Sequence, residues 1–447
     1  MIQLAGWLLV CLSGSWLLRR RPVLLAGLAL AGWTLVPAIA GYRLTGVATG
    51  PLGAHPSTYL VLSALLMQVL TNPRAVAAAL ARHPLVILVV TVFVLGAAGT
   101  SAVMSSGGSR LLLDQIVGPF VLWLLVVIGA TDDPRRLLGL RNVILAAAVV
   151  QSLIAVAQQR ADSILFYERD YARLPWFDPE TYSRWMGTAD SPLVFAVLLC
   201  VAAGLSLSLR SSVVRVPLLL LFLVGTLIAQ ARAGTAVLCL IVVYAVLRPT
   251  MALWARALTS VLFGGAAYLA LTSGLVSGLA NRIANDSGSG AARLRALQFV
   301  AEAAGSYIAV GRGLTASYDV ARNAGLRTSL ESSFLMYVVD VGLILSTLYF
   351  GLQLVLLLRY GRHGYLRGAT VAALAAVGLQ HVFSAVAGAN LTGALIWAAL
   401  AIVVAGSLDK TGSGRRDQRA APAIPRRDAA PSSSARAPAS VAMSDAS

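Results

Sequence analysis

The chain has 447 residues, 58% of them hydrophobic and 12% charged, with a mean hydropathy of +0.79. An ordinary soluble domain is roughly 45–50% apolar and about 25% charged, so this composition excludes a water-soluble globular protein and makes the bilayer the solvent. The formal net charge of +17 does not mark a nucleic-acid binder, because Lys410 is the only lysine and the arginine excess, beside Ala-rich spans, has the look of a genome-wide codon bias.

Uninterrupted apolar runs cover 4–18, 23–41, 85–104, 116–130, 191–209, 258–279, 333–358, 369–387 and 391–407. Most are near the ~20 residues that cross a ~30 Å hydrocarbon core. Weaker runs are 57–70, 143–157, 216–231 and 233–247; the last two are together too long for one crossing and predict a tight hairpin turning at Arg232-Ala233-Gly234. None shows the ~10-residue alternation of a membrane barrel. The predicted fold is an all-α polytopic membrane protein with about twelve or thirteen transmembrane helices, 57–70 being short enough to be re-entrant. Arg19, Arg20 and Arg21 follow the first run, the reverse of a signal peptide, so that run is read as a retained helix.

Short arginine-rich loops recur at Arg19 to Arg21, Arg74 and Arg82, Arg135, Arg136 and Arg141, Arg210 and Arg215, Arg248 and Arg256, and Arg359, Arg362 and Arg367. They alternate with the remaining loops, so the positive-inside rule assigns them to the cytoplasm and the others to the outer face. The predicted organisation is a bundle of about six spans over 1–159, a first outer loop over 160–190 and four spans over 191–279 with the hairpin at Arg232. A second, larger outer loop follows over 280–331, then further spans over 332–407 and a cytoplasmic tail over 408–447. Rich in Ala, Pro, Ser and Arg and without an apolar period, the tail is expected to be disordered. Cys11, Cys200 and Cys239 fall inside apolar spans, and His55, His83, His363 and His381 are scattered, so neither a disulfide framework nor a metal site is expected.

The first outer loop interleaves Arg160, Arg169, Arg173 and Arg184 with Tyr167, Tyr171, Trp176, Phe177, Tyr182 and Trp185. Aromatic rings at a membrane boundary serve as interfacial anchors, and flat apolar faces mixed with guanidinium forks also suit a sugar beside a phosphate; composition leaves both open. The second loop carries Arg282, Arg293, Arg295, Arg312, Arg322 and Arg327 against Asp286, Glu302, Asp319 and Glu331. Outer arginine runs against the orientation rule, which points to a use for it, with an anion at the bilayer surface as the target. Residues 291–304 have the pattern of a short amphipathic helix with Leu294, Leu297 and Ala301 on one face. Gly311-Arg312-Gly313 follows and permits a tight turn.

The order of these motifs resembles the O-antigen ligase and polymerase family of bacterial membrane glycosyltransferases, over about residues 184–345. Arg184-Trp-Met-Gly187-Thr188 resembles that family's Arg-x-x-Gly-Thr, and Arg232-Ala-Gly234 its Ser-Arg-Gly at a hairpin tip. Arg293 with Gly311-x-Gly313 is similar to the arginine and Gly-x-Gly of its large outer loop. Glu331-Ser-Ser-Phe-Leu335, followed by Asp340-Val-Gly342-Leu-Ile344, is similar to the stretch that closes it. Two positions depart from the pattern: Ala231 stands where the family has Ser, and Glu331-Ser332 where ligases place His-Asn. The second departure brings a polymerase, or another lipid-linked glycan transferase, level with a ligase.

The resemblance implies a GT-C-like helical architecture in the bacterial cytoplasmic (inner) membrane. It implies transfer of a glycan from a polyprenyl diphosphate to an acceptor hydroxyl of a glycan or lipid on the outer face, in envelope or extracellular polysaccharide assembly. No metal, other cofactor or nucleic acid is implied; membrane lipids and other polysaccharide-assembly proteins are compatible partners. Arg184 and Arg232 would hold the diphosphate, whose charge grows as the anomeric bond breaks, and Glu331 would take the acceptor proton. Arg293 and Arg312 are second-rank substrate contacts. Simpler roles stand beside these: Arg232 snorkelling to head groups, Arg184 pairing with Asp178 or Glu180, Glu331 capping the helix it opens, Asp340 as a buried structural acid. A transporter or flippase for a lipid-linked glycan is the alternative function. Nearly charge-free spans speak against it, because transporters place ionisable residues and broken helices at mid-depth.

Overall fold

In hydrocarbon a backbone amide finds no partner but another amide, and the apolar runs meet that demand as helices. The computed structural model describes residues 1–407 except 105, 132, 175, 179–181, 249–252, 273–288, 327–329 and 363–364; among the described residues there is no strand. The tail predicted over 408–447 lies outside them.

The N-terminal helices are α1 (Ile2–Leu17), α2 (Pro22–Leu35), α3 (Pro56–Thr71), α4 (Pro73–Arg82), α5 (Pro84–Val103), α6 (Ser109–Ala130) and α7 (Arg136–Ala161). Then come α8 (Pro192–Ser206), α9 (Ser212–Ile228), α10 (Arg232–Leu247) and α11 (Leu253–Thr272). The segment assigned to the larger outer loop holds α12 (Ser289–Glu302) and α13 (Ala316–Asn323), and the chain continues through α14 (Ser333–Val341), α15 (Leu343–Tyr360), α16 (Ala369–Leu379) and α17 (Thr392–Ser407). Four of these, α5, α6, α7 and α15, are long and apolar enough to cross a membrane. Two bent pairs meet that standard together: α2 with Ala38–Thr45, at 90°, and α3 with α4, at 109°. Six further apolar helices, α1, α8, α9, α10, α16 and α17, are shorter. The chain is an all-helical, multi-pass membrane protein.

Besides the run 23–41, which bends after Leu35, two runs expected as whole spans are interrupted. The run 333–358 is divided at Gly342, whose φ of 98° ends α14 and starts α15 in a new direction. Phe334 and Tyr337 then pack on Phe350, with ring centroids 5.8 and 5.5 Å away, so α14 folds back beside α15. Its N-terminus, next to Glu331, therefore lies ~10 Å down the axis of α15. The run 369–387 is helical only to Leu379; the 11 residues of α16 rise ~16 Å, about half of a hydrocarbon core, and 380–391 continues as irregular backbone.

Lipid is as apolar as leucine, so helices gain little from burial against each other and close approach through small residues takes over. Gly204 of α8 lies so near α16 that a Cβ would stand 2.6 Å from the Ala372 nitrogen. At the centre, α8 and α17 are buried along almost their whole length.

Side-chain bonds sort the connections into two sets. Those assigned to the cytoplasm touch one another: Gln68 Nε2 donates to the Arg19 carbonyl, Arg82 to Thr131, and Arg141 to Ser208. Those assigned to the outer face do likewise: Leu314 N–H donates to Ser101 Oγ, Arg43 to Asp170, and Leu391 N–H to Asp190.

The amphipathic helix expected at 291–304 is α12, but its packed face is a different one. Ala296 and Val300 are buried against Tyr307 and Met336, whereas Leu294 and Leu297 are 57% and 54% exposed and Ala301 is exposed too. Close packing on α14 selects the smaller side chains and leaves the face of Leu294, Leu297 and Ala301 outward.

Candidate functional site

Segment 182–191 is irregular backbone fixed by two glutamines of α7. Gln158 takes the N–H of Gly187 at 2.9 Å and donates to its carbonyl at 2.8 Å. Gln151 takes the N–H of Thr188 at 2.7 Å and donates to its hydroxyl at 2.6 Å. Gly187 has φ 65° and lies so close that a Cβ would be 2.2 Å from Gln151 Oε1, which is why a glycine followed by a threonine stands here. Beneath, Tyr171, Phe177 and Trp185 are buried ring against ring, so these aromatics of the first outer loop form a small core while Trp176 stays exposed.

On this base Arg184 reaches the hairpin. Its Nε donates to the Ala229 carbonyl at 3.2 Å, and Gln230 Nε2 donates back to the Ser183 carbonyl at 3.1 Å. The turn expected at 232–234 occupies Ala229–Ala231, with Gln230 at φ 50°, because α10 already begins at Arg232. Ala231 is the N-cap and has no side chain to accept from the first turn. Partly buried Arg232 and Arg184 thus sit with the positive end of a helix dipole at one tip.

A second cluster gathers on segment 380–391. Glu331, with φ 55° and partly buried, precedes the N-cap Ser332 of α14. Ser333 donates through its N–H and its hydroxyl to the Phe383 carbonyl, and its hydroxyl accepts from Val386 N–H at 3.1 Å. Arg293 of α12 donates to the neighbouring Val382 carbonyl at 3.2 Å. His381 lies beside them, its ring 6.5 Å from Phe334 and 5.1 Å from Phe350. Segment 380–391 also reaches the first cluster's support: Leu391 N–H donates to Asp190, six residues beyond Arg184.

Arg312 stands apart. Its N–H donates to the Val339 carbonyl and its exposed guanidinium lies 5.7 Å from the Tyr307 ring, at the end of α14 away from Glu331. Gly311 is there because a Cβ would meet the Asp340 carbonyl at 2.2 Å, a packing reason for the Gly-x-Gly pair. Asp340 accepts from Thr315 N–H at 3.2 Å and Ser317 N–H at 2.7 Å, which tethers the large loop to α14.

The sequence reading passed over the acids that hold the outer backbone. Asp190 accepts from Ala38 N–H at 2.5 Å and Leu391 N–H at 3.0 Å. Enclosure by these segments pushes its carboxyl up to about 7, partly opposed by the two N–H donors. Asp170 takes Tyr42 Oη and Arg43 Nε, and Asp114, in a π-helical stretch of α6, takes His55 N–H and Thr58 Oγ1 with Arg110 Nε 3.6 Å away. An acid beside an apolar run was the available signal.

No protein-family model and no curated protein matches the chain. Among the described residues no group of three or more His, Cys, Asp or Glu side chains could hold a metal ion. What is gathered is two guanidinium groups at a hairpin tip, and along segment 380–391 a carboxylate, an imidazole and a third arginine. Irregular backbone at membrane depth is tolerated where it is buried in protein or lines a wet cavity, and segment 380–391 continues an apolar run in that form.

Proposed function

We propose that the chain is a metal-independent glycosyltransferase that moves a glycan from a polyprenyl diphosphate to an acceptor hydroxyl. Its setting is the outer side of a bacterial cytoplasmic membrane, in a GT-C-like frame of about twelve or thirteen crossings. The observation that carries the reading is the junction of Arg184 with the hairpin that presents Arg232. Two guanidinium forks beside a helix N-terminus suit a diphosphate that gains charge as it departs, with ~3–4 kcal/mol of transition-state stabilisation per well-placed donor. Glu331 takes the proton from the acceptor hydroxyl, and Arg293 steadies the glycan. Arg312, at the other end of α14, contacts a longer substrate or none.

A second reading, a flippase for the same lipid-linked glycan, is favoured by one observation: α16 ends about halfway through its span and 380–391 continues as broken backbone, a feature of transport sites. The two separate in one experiment. Cells lacking the protein, and the same cells carrying wild type, Arg184→Ala or Arg232→Ala, are compared for polysaccharide size and linkage and for the leaflet in which lipid-linked precursor accumulates. Transfer predicts loss of long chains with precursor on the outer leaflet. Precursor confined to the inner leaflet replaces the enzyme with the flippase, and full activity of both variants removes the diphosphate role.

A further inference from the structure

Four arginines and one aspartate meet at a cavity of about 550 Å³ between the cytoplasmic ends of α2 and α7. Arg20 and Arg21 come from the α1–α2 connection, Arg135 and Arg136 from the start of α7. Asp133, 4.0 Å from Arg136, is the one carboxylate on the wall among the described residues. Among the described residues the guanidinium groups of Arg20, Arg21 and Arg135 meet no acceptor. A general excess of arginine on this side follows from the orientation rule; four arginines converging on one cavity do not.

Glycines make the room. Gly27 brings α2 against α7, where a Cβ would lie 3.3 Å from Val143, and a Cβ at Gly139 would meet nothing within 4 Å. Below the arginines the wall turns apolar, and an exposed strip continues at helical spacing through Leu24, Leu28 and Leu35 on α2 and through Val150 and Leu153 on α7. A cationic pocket opening onto an apolar strip between membrane helices matches a lipid with an anionic headgroup.

We propose that this cavity binds the phosphodiester headgroup of an anionic phospholipid of the cytoplasmic leaflet, with acyl chains along the α2–α7 strip. A soluble phosphate satisfies the arginines and leaves the strip unused; a zwitterionic lipid uses the strip but brings an ammonium to four arginines opposed by one carboxylate.

The test is thermal unfolding of the full-length protein in neutral detergent, titrated separately with short-chain phosphatidylglycerol, short-chain phosphatidylcholine and inorganic phosphate. Phosphatidylglycerol raises Tm; the other two, at equal concentration, do not. Arg20→Gln, Arg21→Gln and Arg135→Gln combined weaken the phosphatidylglycerol effect roughly 100-fold. Gly139→Leu keeps every charge, fills the cavity and abolishes the effect while leaving Tm without lipid near wild type; it carries the test if the triple variant fails to fold. An equal shift with phosphate assigns the pocket to a soluble anion, and an equal shift with phosphatidylcholine denies headgroup selection. An unchanged shift in Gly139→Leu removes the cavity as the site. Any of the three overturns the proposal.

Discussion

Arg184 donates to the carbonyl of Ala229, three residues before Arg232, so the two arginines are held by a bond between their own segments and not by chance proximity. Under the proposed function both act on one diphosphate, and groups that do so are coupled. Arg184→Ala and Arg232→Ala are each expected to lower glycan transfer by about 100- to 1,000-fold, and the double variant by less than the product. Arg→Lys at either position restores only part, because an ammonium lacks the planar fork. Initial rates at matched protein level in the membrane check this; strictly multiplicative losses would separate the two residues into independent roles.

Ala231 leaves the first turn of α10 without a side-chain acceptor, at the tip that carries Arg232. Ala231→Ser supplies that acceptor and is expected to raise stability by roughly 1 kcal/mol. Thermal unfolding in detergent reads the gain. A neutral or destabilising result means that the first-turn N–H groups already have partners.

Most of the fold was legible, because apolar length is written directly into the chain: a helix begins in or just before every apolar run, although the runs 23–41, 333–358 and 369–387 do not continue as one helix to their ends. What escaped was set by tertiary contact. Gly342 reads as one more small residue in an apolar run, yet its φ of 98° turns α14 back beside α15 and lowers Glu331 toward the membrane. Leu294 and Leu297 carry the periodic signal in α12, while Ala296 and Val300 do the packing. At the candidate site Arg184 and Arg232 could be picked by their place in outer turns. Their junction could not, since it depends on Gln151 and Gln158, two polar residues in a long helix that clamp Gly187 and Thr188 from across the chain.

That clamp is testable at Gly187. An alanine there faces a left-handed backbone and a Cβ 2.9 Å from the Gln151 carbonyl as well as against its side chain. Gly187→Ala is expected to cost roughly 2 kcal/mol or more and to lower activity beyond the loss of folded protein, because Arg184 shifts with the segment. Activity per folded molecule, with folding judged by protease resistance, separates the two effects. Wild-type values in both would mean that the 182–191 backbone does not position Arg184.

Asp190 gives the outer layer a pH dependence with a definite sign. Its carboxylate bridges Ala38 and Leu391, and burial there pushes its titration up to about 7, against ~4 for a carboxyl in the unfolded chain. Between those values the folded state binds more protons than the unfolded, so stability falls as pH rises through the window and is greatest at its acid end. Tm is expected to decline from about pH 4 to pH 7, and the decline to shrink in Asp190→Asn, which cannot ionise. Asparagine offers one acceptor oxygen where the carboxylate offers two, so one of the two N–H groups is left facing an amide NH₂, and the variant is less stable at every pH by roughly 1–3 kcal/mol. The slope, not the offset, is the diagnostic. A slope equal to that of wild type assigns the loss of stability with rising pH to another group and leaves Asp190 as a bridge that stays ionised throughout.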